Sequence, residues 1–191
     1  MFKLTEDEFL MLNYMDIKCK VSENFLIDSM ELGSSGINKI ISKLKKQHYI
    51  EMSEGLWQLT AHAKNAVNVY RREKIKALSQ EKREMLKKAS SKMDDIGFYL
   101  KYTVARYQLK ADGLKRIMDS LEETHEQLKE ILRDLAKFLP HFKHYVKRLE
   151  NTFSKIKKNT SFIVNHPNSY YNIYCELSTD LKNFITECKN V

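Results

Sequence analysis

Glycine and proline are scarce in this chain, at five and two of 191 residues. That leaves little material for the turns of a β-rich fold, and it points to long helices. Cysteine is scarce as well. Cys19, Cys175 and Cys188 are scattered, odd in number and without any Cys-x-x-Cys spacing. Such a pattern does not make a disulfide framework, and three reduced thiols are expected. No apolar run approaches the roughly 18 residues of a membrane span. The opening "MFKLTEDEF" is acidic within its first turn and lacks a signal peptide's apolar region. A soluble cytoplasmic protein without a membrane partner is therefore expected. Also missing are a Gly-rich phosphate loop, a Gly-x-Ser-x-Gly motif and a nucleophile–base pair. We expect neither an enzyme nor a cofactor.

What the chain does have is charge, 30% of residues, with a net value of +8. That balance permits nucleic acid or another acidic partner. Its distribution is uneven. Residues 1–60 hold seven lysines against nine acids, 61–110 hold thirteen basic residues against five acids, and 111–191 hold thirteen against eleven. The basic excess lies in the middle of the chain.

Residues 1–60 read as a small α/β unit. Thr5 with Glu8 has capping-box spacing ahead of Phe9, Leu12 and Met15. Ser22 is placed to cap a second helix carrying Phe25, Leu26, Ser29 and Met30, and Gly33 to close it. A third helix begins at Ser34 or Ser35. Ile37, Ile40, Ile41 and Leu44 form its core stripe. After Gln47, "YIEMSEGLWQLT" reads as strand, tight turn at Ser53-Glu54-Gly55, and strand, with Thr60 capping the next helix.

The expected order is thus helix, helix, helix, hairpin, helix, which is the winged helix-turn-helix arrangement. The residues "GSSGINKIISKLKKQHYIE" and "LWQLTAHAK" resemble the bacterial MarR-type winged-helix regulators over roughly residues 4–66. The resemblance rests on the small-residue turn, the aliphatic helix with its Leu-Lys pair, the hairpin and the Leu-Thr end. The chain departs from that pattern in three places. His48 and Ala63 stand where the family usually has glycine, and the short wing holds Glu51 and Glu54 with no arginine at its tip. The resemblance implies a DNA-reading helix over residues 34–47.

The residues of that helix support the same expectation. At 100° per residue, Ser35, Asn38, Lys39, Ser42, Lys43 and Lys46 oppose the core stripe, and no acid lies between Ser34 and His48. Lysines neutralise phosphates, small hydroxyls approach the backbone, and Asn38 suits an adenine edge in the major groove. Ser34 joins this set at the helix start. A second basic stretch, Tyr70–Lys88, offers Arg71 and Arg72 for auxiliary phosphate contact. A solvated helix with Glu-to-Lys pairing is the alternative there.

From Thr60 onward the pattern is helical nearly to the end. Leu86, Ala89, Met93, Ile96, Leu100, Thr103 and Tyr107 repeat at threes and fours. A heptad register runs from Leu114 to Ile156 through Leu121, Leu128, Leu132, Leu135, Leu139, Phe142, Val146 and Leu149. Ile117, Ile131, Phe138 and Tyr145 widen that stripe, which favours a bundle over a narrow two-stranded seam. The eight residues from Leu121 to Leu149 are the expected dimerisation set. Breaks are expected at Ser90-Ser91, Asp112-Gly113, Pro140 and "NHPNS" (165–169).

Metal-ligand spacing is thin. Glu122-x-x-His125 has no second copy, and His141-x-x-His144 has no third ligand. No metal is expected. His125 is instead a polar residue on the heptad seam. Tyr99, Tyr102, Tyr107, Tyr170, Tyr171 and Tyr174 are core or interface residues on the plain reading, and the lining of an effector pocket on the sharper one.

The expected protein is mainly α: a winged helix-turn-helix domain with a two-stranded wing over 1–66, then a long-helix bundle or coiled coil over 67–191 that dimerises. The expected function is transcriptional regulation through double-stranded DNA as a homodimer. Two alternatives stand beside it. One is a winged-helix/coiled-coil adaptor with a helical protein partner, favoured by the acidic wing. The other is a replication or partition protein of a mobile element.

Overall fold

Thr5 does what its spacing with Glu8 predicts. Its hydroxyl accepts from the Glu8 amide at 3.3 Å, and Glu8 Oε2 accepts from the Thr5 amide at 3.0 Å. This closes the start of α1 (Glu6–Lys18) in a computed structural model that describes residues 4–189. The order of elements is α1, β1 (Lys20–Val21), α2 (Glu23–Met30), α3 (Gly33–Lys46), β2 (Ile50–Ser53), β3 (Leu56–Leu59), α4 (Ala61–Lys76), α5 (Gln80–Gln108), α6 (Leu114–Ala136), α7 (Phe142–Ile156), a 3₁₀ turn at Thr160–Ile163 and α8 (Tyr170–Lys189). The protein is mainly helical, with one small antiparallel sheet. No helix is long and apolar enough to cross a membrane among the described residues. The three cysteines are free thiols.

Two compact units emerge, Met1–Ala77 with Thr186–Val191, and Leu78–Ile185. Helix α4 continues through residues 66 and 67 without a break.

In the first unit α1 is the central helix. Every residue from Glu8 to Met15 is buried, as expected of a helix apolar nearly all round. Ser22 and Thr60 cap α2 and α4 through their hydroxyls. The sheet has three strands in the order β1-β3-β2. The hairpin lies where the sequence predicts it, with Ile50 opposite Leu59 and Met52 opposite Trp57. Its two central residues, Glu54 and Gly55, have φ of 55° and 78°. Positive φ at both is the signature of a type I′ turn, whose twist suits paired strands. The third strand, β1, corrects the two-stranded expectation. It sets Lys20 opposite Gln58 and Val21 opposite Trp57.

Glycine placement differs from expectation at α2. The residue that stops α2 is Glu31, in the left-handed region at φ 57°, while Gly33 (φ 63°) opens α3. The third helix therefore begins one residue before Ser34.

In the second unit α5, α6, α7 and α8 make a bundle. Helix α5 packs on α6, and α6 on α7. Helix α8 meets α5 where the Tyr174 hydroxyl donates to the Met93 carbonyl at 2.5 Å. Gly97 makes that contact available, because a Cβ there would overlap the Tyr174 hydroxyl. The expected break at Ser90-Ser91 does not occur; α5 runs straight through, continuing the stripe of Leu86, Ala89 and Met93. The breaks at Asp112-Gly113, Pro140 and 165–169 do fall between helices. A break missed by the sequence reading lies at 77–79, where the Ser79 hydroxyl caps α5.

The heptad run is likewise corrected. It is divided between α6 and α7 by the turn around Pro140. Leu121, Leu128, Leu132, Leu135, Leu139, Phe142 and Leu149 are all buried within the chain, and Val146 is half-buried. These residues form the core of the bundle. Within one chain they are turned inward rather than laid out as an exposed seam, unlike the expected dimerisation set.

Candidate functional site

Helix α3 is amphipathic in the way its sequence dictates. Ile37, Ile41 and Leu44 are buried, with Ile40 half-buried beside them. Ser34, Ser35, Asn38, Lys39, Ser42, Lys43 and Lys46 are all exposed. Ser35, Asn38, Lys39, Ser42, Lys43 and Lys46 also border one shallow hollow, together with Gln47 among the described residues. The helix carries no carboxylate over its length. Its last turn holds Lys43, Lys45 and Lys46, which complement the negative end of the helix dipole.

Both ends of α3 are set by backbone geometry. Leu32 precedes it without a side-chain cap, so the first N–H groups of the helix are not taken by a capping oxygen. At the exit His48 takes a left-handed conformation, φ 56°, and its amide donates to the Lys45 carbonyl at 3.0 Å. The Thr60 hydroxyl then donates to the His48 carbonyl at 2.8 Å, tying that exit to the start of α4.

The six polar residues are not equivalent. Lys43 forms an ion pair with Glu8, whose side chain is only 5% exposed. Burial pushes the Glu8 carboxyl up, but the hydrogen bonds from Lys43 and from the Thr5 amide outweigh it and hold the group below the usual carboxylate range. Lys43 is thus partly committed to holding α3 against α1. Lys39 and Lys46 form no ion pair among the described residues, and their ammonium groups stay available.

The second basic stretch needs a correction. Arg71 is 2% exposed. Its guanidinium lies 2.9 Å from Asp16 Oδ2 and donates to Asn13 and Asn68. These partners come from α1 and α4, and so little of it is exposed that a phosphate has no surface to meet. The signal was present in the sequence: Ala63, Val67, Arg71 and Ile75 recur every four residues, all on the buried stripe of α4. Arg72 is more exposed, and its Nε donates to Glu187 Oε2 at 2.9 Å. Tyr70 stacks on Phe9 with ring centroids 4.1 Å apart, and burial, with Glu6 nearby, pushes its hydroxyl up to about 12.

At the hairpin tip the acids are largely answered. Lys20 from β1 lies 2.7 Å from Glu54, and Glu51 accepts from Gln58 at 2.7 Å. Among the described residues no cluster of three His, Cys, Asp or Glu side chains is placed to hold a metal ion. His141 instead faces Asp180 at 3.3 Å and stacks on Phe184.

The tyrosines do not converge on a pocket. Tyr99 and Tyr102 are exposed, Tyr170 and Tyr174 are core, Tyr171 is half-buried, and the Tyr107 hydroxyl donates to Thr160. His125 is buried, stacked on Phe153 at 4.4 Å, with Nδ1 3.2 Å from the Tyr170 hydroxyl. Burial first, and then the Lys129 charge, lower its pKa below the ordinary 6.5. The unfolded chain therefore takes up this proton more readily than the fold does. Stability contributed by the neutral imidazole is complete above 6.5 and declines as pH falls below it. Thermal unfolding between about pH 7 and 5 should show that decline, and His125→Gln should flatten it. A profile unchanged by the substitution would exclude His125 as its source.

Comparison with protein-family models, with curated proteins and with solved structures returned no match for this chain.

Proposed function

We propose that the protein is a DNA-binding transcriptional regulator of the winged helix-turn-helix kind, acting as a homodimer, with α3 entering the major groove. The observation that carries this reading is the outward face of α3: exposed Ser35, Asn38, Lys39, Ser42 and Lys46 on a helix without a carboxylate. The order α1-β1-α2-α3-β2-β3 supports it, since it is the order in which such domains present a recognition helix ahead of a β-hairpin. His48 also supports the MarR-like resemblance. It stands where that family usually has glycine, and it takes the left-handed backbone that glycine favours. Arg71 is withdrawn from the proposed contact set. Ser34 and Arg72 stay at its margin.

Contacts divide by chemistry. Lys39 and Lys46 would neutralise phosphates, the serine hydroxyls would position the backbone, and Asn38 would read a base edge. Filter binding over a salt series tests this. Lys39→Ala and Lys46→Ala should each weaken all sequences alike and reduce the salt slope by about 1. Asn38→Ala should instead change sequence preference, by about 1–3 kcal/mol at the base it reads. Binding that ignores salt, or no binding at low salt, would refute the proposal. Lys43→Ala is the weaker probe, because it also strips Glu8 of its partner.

A second reading, an adaptor that docks a helical protein partner, is favoured by the hairpin, where Glu51 and Glu54 flank Met52, 56% exposed. Loss of partner capture on Met52→Ser, with DNA affinity absent, would favour that reading instead.

A further inference from the structure

By sequence α3 presents three lysines in a row. Lys39, Lys43 and Lys46 follow one another at intervals of four and three residues, which sets them along one side of the helix. The fold answers one of them. The acid comes from outside the helix, from Glu8 on α1, and it pairs with Lys43. Lys39 and Lys46 have no ion pair among the described residues. The outward face therefore carries two free ammonium groups and one neutral pair.

Both oxygens of Glu8 are committed. Oε2 accepts from the Thr5 amide at 3.0 Å, which closes the start of α1, and Oε1 holds the Lys43 ammonium. The two side chains differ in burial: Glu8 is 5% exposed and Lys43 51%. Lys43 could leave the pair and be solvated, but Glu8 could not. Were a phosphate to draw Lys43 away, a buried carboxylate would keep only the Thr5 amide. An uncompensated buried charge costs more than one exposed ionic contact returns.

We infer that Glu8 is a positioning residue for the DNA face: it withholds Lys43 from the phosphate backbone, so that α3 grips DNA with Lys39 and Lys46 alone. The inference rests on the DNA-binding reading above. It adds to that reading a residue on another helix that sets how many phosphates α3 engages. Non-specific affinity is almost wholly electrostatic, so one contact fewer keeps the protein from being held on sequences it does not read.

Glu8→Gln isolates this role, because glutamine serves in a capping box as glutamate does. The start of α1 is kept, and the charge that holds Lys43 is removed. Filter binding of the full chain to a random-sequence duplex over a salt series should then show a log–log salt slope steeper by about 1. Affinity should rise several-fold near about 0.1 M salt. Glu8→Gln/Lys43→Ala should return slope and affinity to wild type, since it removes the pair as a unit and leaves Lys39 and Lys46 in place. A loosened contact between α1 and α3 would not steepen the slope. Glu8→Gln with a wild-type slope overturns the inference. So does a double variant whose slope is about 1 shallower than wild type, because Lys43 would then grip a phosphate in spite of Glu8. A wild type that binds no duplex at low salt removes the DNA reading and this inference together. A wild type that binds, with Glu8→Gln unchanged, removes this inference alone. Circular dichroism and Trp57 fluorescence check that each variant is folded, and if Glu8→Gln is not, the slope of the double variant decides.

Discussion

Arg71→Leu is expected to destabilise the first unit by about 3–5 kcal/mol, the range for removing one partner of a buried ion pair. The arginine is nearly inaccessible, and Asp16 beside it is only 13% exposed at its side chain. Asn13, wholly buried, turns its carbonyl oxygen to the same guanidinium. Leucine would fill the volume but leave a carboxylate and an amide oxygen without donors, and that desolvation is the larger part of the cost. Removing the charge from both sides should recover most of it, because a buried pair replaced by apolar groups is often close to neutral. Trp57, the single tryptophan, is buried in this unit. Its fluorescence in a urea titration therefore reports the right transition. The midpoint should fall with the slope unchanged, and Arg71→Leu/Asp16→Leu should return most of the way. A loss under about 1 kcal/mol would place Arg71 with ordinary surface residues instead.

Arg148→Met should be as severe in the second unit. Arg148 and Glu176 are 5% and 4% exposed, and Nη1 donates to Glu176 Oε2 at 2.7 Å. Its other terminal nitrogen donates to Asn168 in the turn before α8. One side chain thereby links α7, α8 and the connection between them. Methionine would preserve bulk and strand the Glu176 carboxylate. A loss of about 3–5 kcal/mol is expected, seen as a fall of roughly 10–15 °C in the melting of helical dichroism. Arg148→Met/Glu176→Leu should melt well above the single variant. If the two single losses simply add in the double, the pair is not coupled as described.

Local rules were readable in the residues; their tertiary consequences were not. Thr5, Ser22 and Thr60 cap the helices assigned to them, and the Glu54-Gly55 turn is where it was expected. Each depends on a few adjacent residues. Strand β1 was missed because two residues carry no alternation, and Lys20-Val21 is a strand only through its pairing with β3. Ser90-Ser91 looked like a cap, but serine also tolerates a helix interior when the apolar stripe continues past it. The leucine heptads specified a buried face without saying whose helix would bury it. Pro140 supplied the answer by letting α6 and α7 fold back as separate helices. At the candidate site the polar face of α3 was fully legible. The difference between Lys39 and Lys43 was not, since it depends on Glu8, thirty-five residues upstream of Lys43.

Gly97 and Tyr174 form one lock made of two distant parts of the chain. The glycine has no side chain because the tyrosine's hydroxyl occupies that space on its way to Met93. Over evolutionary time such a pair is constrained to change together. A lineage that gains alanine at position 97 is expected to have shortened position 174 first, to phenylalanine or smaller. Among descendants of this chain, the two positions should read as a single inherited character.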